Sequence, residues 1–243
     1  MTYVPSAVRH LADRLGGLGW VTDLLVAGSL ATGDYVPGVS DLDLVALTGG
    51  PVGAARQEML AGLRRELDRG AAHGLDLGCV YVDAGRLADL GALHPTWTHG
   101  SLVQRSLSGV TRAELVRHGF AVLGRPPAVV LPGMTDDDVR RAAHAELCGY
   151  WAQTVRRPLW WLNPVIAELG LTSMARGRHA LQTGQLLTKT QAIEQARAPA
   201  WLKDQLRARR QGKQVASPRA RTALIAWRDA RRTVADAYRS APA

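Results

Sequence analysis

The sequence predicts an α/β (α+β) domain with a mixed sheet over residues 1–124, followed by an all-α helical bundle over residues 125–243. Three observations predict it. Helical and strand-like apolar patterns alternate through the first half, as expected of helices packed on a sheet. Three prolines and two glycines crowd into Gly124–Gly133, a natural linker. Charge changes at the same place: residues 1–124 carry 10 arginines against 12 acids, a net −2, and residues 125–243 carry 20 basic groups against 9 acids, a net +11.

The elements follow in order. "SAVRHLADRL" has helical spacing, with Ser6 the expected N-cap. "WVTDLLVAG" and "DLDLVALTGG" read as strands, the second ended by glycines, and "ARQEMLAGLRRELDRGA" as an amphipathic helix. "LDLGCVYVDA" reads as a third strand and "GFAVLGRPP" as a short fourth; "HPTWTHG" reads as a loop. Beyond the linker, "TDDDVRRAAHAELCGYWAQTV" opens with a Thr cap and three acids that suit a helix N-terminus. Everything after it reads as helical, with Pro199 and Pro218 near the starts of helices.

Bulk properties narrow the class. No stretch is apolar for the length a membrane span needs. The N-terminus lacks the basic start, apolar run and cleavage site of a secretory signal, so a cytoplasmic protein is expected. Cys79 and Cys148 lie far apart in apolar contexts and read as reduced core thiols. The basic second half suits an anionic ligand or is a solvated Arg-rich surface.

The chemistry concentrates in "VAGSLATGDYVPGVSDLDLVAL", Val26 to Leu47. On a strand Asp41 and Asp43 point one way and Leu42 and Leu44 the other. Two adjacent carboxylates repel unless a cation lies between them, and Mg²⁺ takes hard oxygen ligands that it shares with phosphates. Gly28 lets a phosphate approach the backbone, and Gly28-Ser29 can open a helix whose N–H groups suit an anion. The bland alternative is an exposed edge strand with solvated aspartates. Asp76, flanked by Leu75 and Leu77, adds a third carboxylate if its strand neighbours that of Asp41 and Asp43, an arrangement for metal-assisted nucleotidyl transfer. Asp83, at the strand end, reads instead as the start of a turn.

The Gly-Ser, the "DLD" and a separate strand carboxylate resemble the nucleotidyltransferase superfamily that includes DNA polymerase β. "LTSMARGRHALQTGQLLTKTQAIEQA" is similar to the helical domain of the aminoglycoside adenylyltransferases of the streptomycin/spectinomycin type, with an Arg, a "TG" turn and a Lys in the same order. The resemblance implies that Asp41 and Asp43 hold Mg²⁺, with Asp76 as third ligand and general base where relatives carry Glu. It implies that Gly28, Ser29 and Ser40 lie at the triphosphate of ATP, and that Arg176 and Lys189 reach its phosphates from the helical domain. The activity implied is transfer of AMP to a hydroxyl of a small acceptor in the interdomain cleft, an aminoglycoside or aminocyclitol by family, with antibiotic resistance as the consequence.

The acceptor side departs from the family. "RRPLWWLNPVIAELGLTSMAR", where relatives hold drug-binding carboxylates, has the single acid Glu168, and a half carrying +11 repels a polycation. Glu168 is the acid left for an acceptor. Trp97, in "HPTWTHG", either stacks on an acceptor ring or packs on the core. Two further readings stay open: AMPylation of a protein or RNA end, and a non-catalytic nucleotide-binding regulator. No aromatic–basic interleaving of the single-strand-binding kind is evident, so nucleic acid is not the expected partner. A monomer is favoured.

Overall fold

The structure, a computed structural model, describes residues 3–240. The chain divides into two compact units, one through Gly133 and one from Met134. In the first, helix α1 (Ser6–Gly16) leads into strand β1 (Val21–Val26), a single helical turn α2 (Gly28–Ala31) and strand β2 (Leu42–Thr48). Helix α3 (Ala54–Arg69), strand β3 (Leu77–Asp83), the hairpin β4 (Leu93–Thr98) and β5 (Ser101–Ser106), helix α4 (Gly109–His118), strand β6 (Phe120–Leu123) and the short helix α5 (Pro127–Val130) follow.

The six strands form one sheet in the order β5-β4-β3-β2-β1-β6. Strands β2 and β3 are parallel, joined by the crossover helix α3, and every other pair is antiparallel. The sheet is therefore mixed, as expected. Alternation along the strands splits the core in two. Leu24, Val26, Leu42, Leu44, Leu77 and Cys79 share a cluster with α1 and α3; Leu25, Val45, Leu47 and Val82 share one with Leu107, Leu115 and Leu131. Each fully buried leucine contributes about 2 kcal/mol. Burial pushes the Cys79 thiol up to about 11, and both cysteines are free thiols.

Four local expectations change. Pro5 holds the cap position of α1 and Ser6 is its first residue, with no side-chain cap. "HPTWTHG" is mostly strand: β4 and β5 are joined by His99 and Gly100, with φ of 47° and 74°, the positive pair that a two-residue hairpin turn wants. Pro95 is tolerated because β4 pairs with β3 only at Thr96 and Trp97. Helix α4 escapes detection because its buried positions include Arg112 and Glu114. Finally, the segment from Arg125 to Gly133, assigned from sequence to the helical half, belongs to the first unit: Leu131 enters the second core cluster, and Arg125 pairs with Asp23 at 2.8 Å.

The second unit is helical throughout. Helix α6 (Asp136–Glu146) runs through a π-helical turn (Leu147–Trp151) into α7 (Ala152–Val155) and a 3-10 turn (Pro158–Leu162). Helices α8 (Pro164–Thr183), α9 (Lys189–Gln195), α10 (Ala200–Arg210) and α11 (Arg219–Arg239) complete it. The expected Thr cap is present as a capping box, Thr135 with Asp138, and the hydrogen bonds from Thr135 and Arg141 hold the Asp138 carboxyl down to about 2. Trp151 and Trp161 fill the core of this unit with Leu171, Met174 and Leu202, whereas Trp160 is exposed. The Trp161 ring lies against Gly170, where a side chain would collide with it. Among the described residues, no helix is long and apolar enough to cross a membrane.

Candidate functional site

The C-terminal end of β1 lies beside the N-terminal end of β2, and the Ala27 N–H donates to the Asp43 carbonyl at 2.8 Å. The chain then turns at Gly28, with φ of +60°. A Cβ there would collide with Asp43 Oδ2, so the position excludes any side chain and the Asp43 carboxylate rests on bare backbone. In the turn α2, Ser29 is only 9% exposed, and its Oγ has no hydrogen-bond partner among the described residues. A buried hydroxyl left unsatisfied costs about 1–3 kcal/mol and calls for a ligand or ordered solvent. The Ser29 carbonyl is already used, by Thr32 Oγ1 and the Asp34 N–H.

The loop before β2 aims its first carboxylate. Ser40 Oγ accepts the Val36 N–H at 3.0 Å and the Ser40 N–H donates to the Val36 carbonyl, closing a tight loop that delivers Asp41 to the strand. Asp41 is half-buried and Asp43 exposed, while Leu42 and Leu44 are buried, which is the alternation expected of them.

Strand β3 is the neighbour of β2, in parallel register with Leu42 opposite Leu77 and Asp43 opposite Gly78. The Leu42 N–H donates to the Asp76 carbonyl at 2.8 Å, which carries the ladder one residue beyond β3 and sets Asp76 beside Asp41. Ser40, Asp41 and Asp76 line one recess of about 320 Å³. Asp76 is exposed, and its carboxylate lies 3.6 Å from His99 Nδ1 at the hairpin tip. Among the described residues, no group of three or more His, Cys, Asp or Glu is gathered to hold a metal ion, so Asp41, Asp43 and Asp76 do not form a closed three-ligand cluster. Repulsion between carboxylates works against such closure where no cation lies between them. The donor chemistry still suits Mg²⁺, which takes one or two carboxylates and completes its shell with phosphates and water.

The two acceptor candidates lie in different units, and Trp97 takes the core placement, one of the two that the sequence left open. Trp97 is 2% exposed, sits in the first core cluster, donates its indole N–H to Asp68 at 2.9 Å and lies under the Arg64 guanidinium. Its ring is packed in the core, at the edge of the recess that opens on Asp43. Glu168, on α8, is ion-paired to Arg209 at 2.9 Å; burial lifts its carboxyl and Arg209 opposes the lift. Its charge is spent within the helical unit.

Arg176 and Lys189 both belong to the helical unit. Arg176, on α8, donates Nε to the Leu187 carbonyl at 3.0 Å, tying the helix to the loop that leads to Lys189 at the first position of α9.

Sequence reasoning missed one feature altogether. A recess of about 230 Å³ opens on Asp43 and is lined by Gly78, Thr98, Arg105, Ser106 and Thr111. The signal was weak because, Gly78 of β3 apart, these residues come from the unrecognised hairpin and from the start of α4.

No protein-family model matches the chain, and no curated protein matches it. Among solved structures, spectinomycin adenyltransferase AAD(9) from Enterococcus faecialis, determined with ATP and spectinomycin, superposes with a TM-score of 0.71. Identity is 16%, and the match covers 96% of this chain and 99% of that one. The chain shares the fold of that adenyltransferase over nearly its whole length.

Proposed function

We propose that the protein is a Mg²⁺-dependent nucleotidyltransferase that moves AMP from ATP to a hydroxyl of a small molecule. One observation carries the reading: the Asp43 carboxylate pressed on side-chain-free Gly28, with the buried, unpartnered Ser29 hydroxyl next in the chain. An exposed carboxylate, open backbone and an unsatisfied donor are what a metal–triphosphate needs. Asp41 and Asp43 would hold Mg²⁺, which supplies charge neutralisation to the triphosphate when bound. Gly28 and Ser29 receive phosphate oxygens and Ser40 holds the loop that presents Asp41; Arg176 and Lys189 are the cations of the helical unit suited to phosphate.

In the reaction, the acceptor oxygen bonds to the α-phosphorus as the bond from that phosphorus to the bridging oxygen breaks. The leaving electron pair departs with pyrophosphate, and the acceptor proton passes to the Asp76 carboxylate. Catalysis is positioning and charge stabilisation. Aminocyclitols and aminoglycosides head the acceptor panel because AAD(9) was determined with spectinomycin; modification of such a drug would confer resistance.

The test is pyrophosphate release from Mg-ATP against a panel of hydroxylated acceptors, with Asp41→Asn and Ser29→Ala as controls. Acceptor-dependent release that is lost in Asp41→Asn, with ATP affinity lowered about tenfold in Ser29→Ala, supports the reading. ATP binding without release for any acceptor transfers the weight to a nucleotide-binding regulator.

A further inference from the structure

We infer that the recess beside Asp43 is the acceptor site, and that Arg105 makes it select a compact hydroxylated acceptor bearing an anionic group. This rests on the nucleotidyl-transfer reading of the same site. The recess runs from Ala27, directly before Gly28, past Asp43 to residues of β3, β4 and β5 and the start of α4, so it adjoins the turn that bears Ser29. Asp76 stands two residues before Gly78 and lines the neighbouring recess with Ser40 and Asp41, so an acceptor beside Asp43 lies on the face of the sheet that carries the proposed base.

Gly78 marks the space. It lies opposite Asp43 in the register and its backbone does not require glycine: a Cβ would meet only the Trp97 and Leu42 carbonyl oxygens, at 3.7 and 3.8 Å, ordinary contact distances. A residue larger than glycine fits the strand but fills the recess. The volume of about 230 Å³ suits a single sugar-sized ring.

Charge sets the class. Among the described residues, Arg105 and Asp43 are the charged ones that line the recess, and Thr96, Thr98, Ser106, Ser108 and Thr111 add hydroxyls. With Asp43 committed to the metal and phosphates, the net field on an acceptor comes from Arg105. A guanidinium attracts a carboxylate or phosphate by bidentate hydrogen bonds and repels an ammonium. Polycationic acceptors are therefore disfavoured at the position where the hydroxyl must react.

The experiment measures binding and turnover on one acceptor set: glucose 6-phosphate and glucuronate, neutral myo-inositol, and cationic spectinomycin. Calorimetry in the presence of Mg²⁺ and a non-hydrolysable ATP analogue is paired with pyrophosphate release, using the wild type, Arg105→Glu and Gly78→Val. The inference expects the anionic compounds to bind best. Arg105→Glu weakens them at least about tenfold, and Gly78→Val abolishes acceptor binding while nucleotide affinity and melting temperature hold. Glucose 6-phosphate against glucuronate separates phosphate from carboxylate as the favoured anion. Best binding of spectinomycin, indifference to Arg105→Glu, or no binding of either anionic compound overturns the inference. Arg105-dependent anion binding without pyrophosphate release overturns the transfer reading and leaves the ligand site standing.

Discussion

Two aspartates of the sheet press their carboxylates against glycines in the left-handed region, and they do opposite things. Asp43 rests on Gly28, φ +60°, and Asp23 on Gly124, φ +74°; at each glycine a Cβ would collide with the carboxylate. Asp23 is wholly buried and saturated: it accepts the Arg125 N–H at 2.7 Å, Arg125 Nε at 3.1 Å and Nη2 at 2.8 Å, and Thr22 Oγ1 at 2.7 Å. Asp43 is exposed, beside a recess and a buried hydroxyl without a partner. The same local geometry thus serves as a clamp where the carboxylate is buried among donors, and as a candidate ligand site where it is exposed at a recess.

The comparison breaks or sharpens at four points. The largest effect is expected in Asp43→Asn, where nucleotidyl transfer should fall at least about 100-fold. The same variant should melt within about 2 °C of wild type, since an exposed isosteric change removes little folding energy; a collapse of the melting temperature would make Asp43 structural too. Next come the glycines. Gly28→Ala and Gly124→Ala should each lose about 1–3 kcal/mol of stability by urea titration, but only Gly28→Ala should also weaken ATP binding. Equal ATP affinities in the two would erase the distinction.

Asp23→Asn should cost about 2 kcal/mol, because it leaves a buried amide facing donors arranged for a charge. Its turnover per folded molecule should stay at the wild-type value. The smallest effect is in pH. Burial by itself would raise the Asp23 carboxyl, but Arg125 and Thr22 outweigh it and hold the group below its ordinary value of 3.8. A carboxyl lower in the folded than in the unfolded chain contributes fully above about pH 4 and fades as pH falls through the folded value. Urea midpoints at pH 6 and pH 3 should therefore fall more steeply in wild type than in Asp23→Asn, and identical slopes would remove Asp23 from the acid response.

Much of the architecture was legible because it is written in short-range periodicity. Strands β1 to β3 announce themselves by apolar runs, α3 and α6 by helical spacing and capping, and the alternation of Asp41 and Asp43 with Leu42 and Leu44 is a property of any strand. The hairpin was not legible: β4 carries Pro95, β5 is polar and largely exposed, and neither has a pattern that competes with a loop. Arg125 reads as linker charge until the carboxylate it clamps, about a hundred positions earlier, is brought to it.

By itself, then, the sequence determined the two-part fold and the strand bearing the paired carboxylates, because each depends on neighbours a few residues apart, whereas the left-handed turn at Gly28 against Asp43 came from the tertiary structure. Only the tertiary structure decided that β3 runs parallel to β2 and sets Asp76 beside Asp41. It also decided that Trp97 is core and that Arg105 faces the same recess as Asp43. These depend on which strands pair and in what register, and a shift of one residue would turn every one of those side chains to the other face of the sheet.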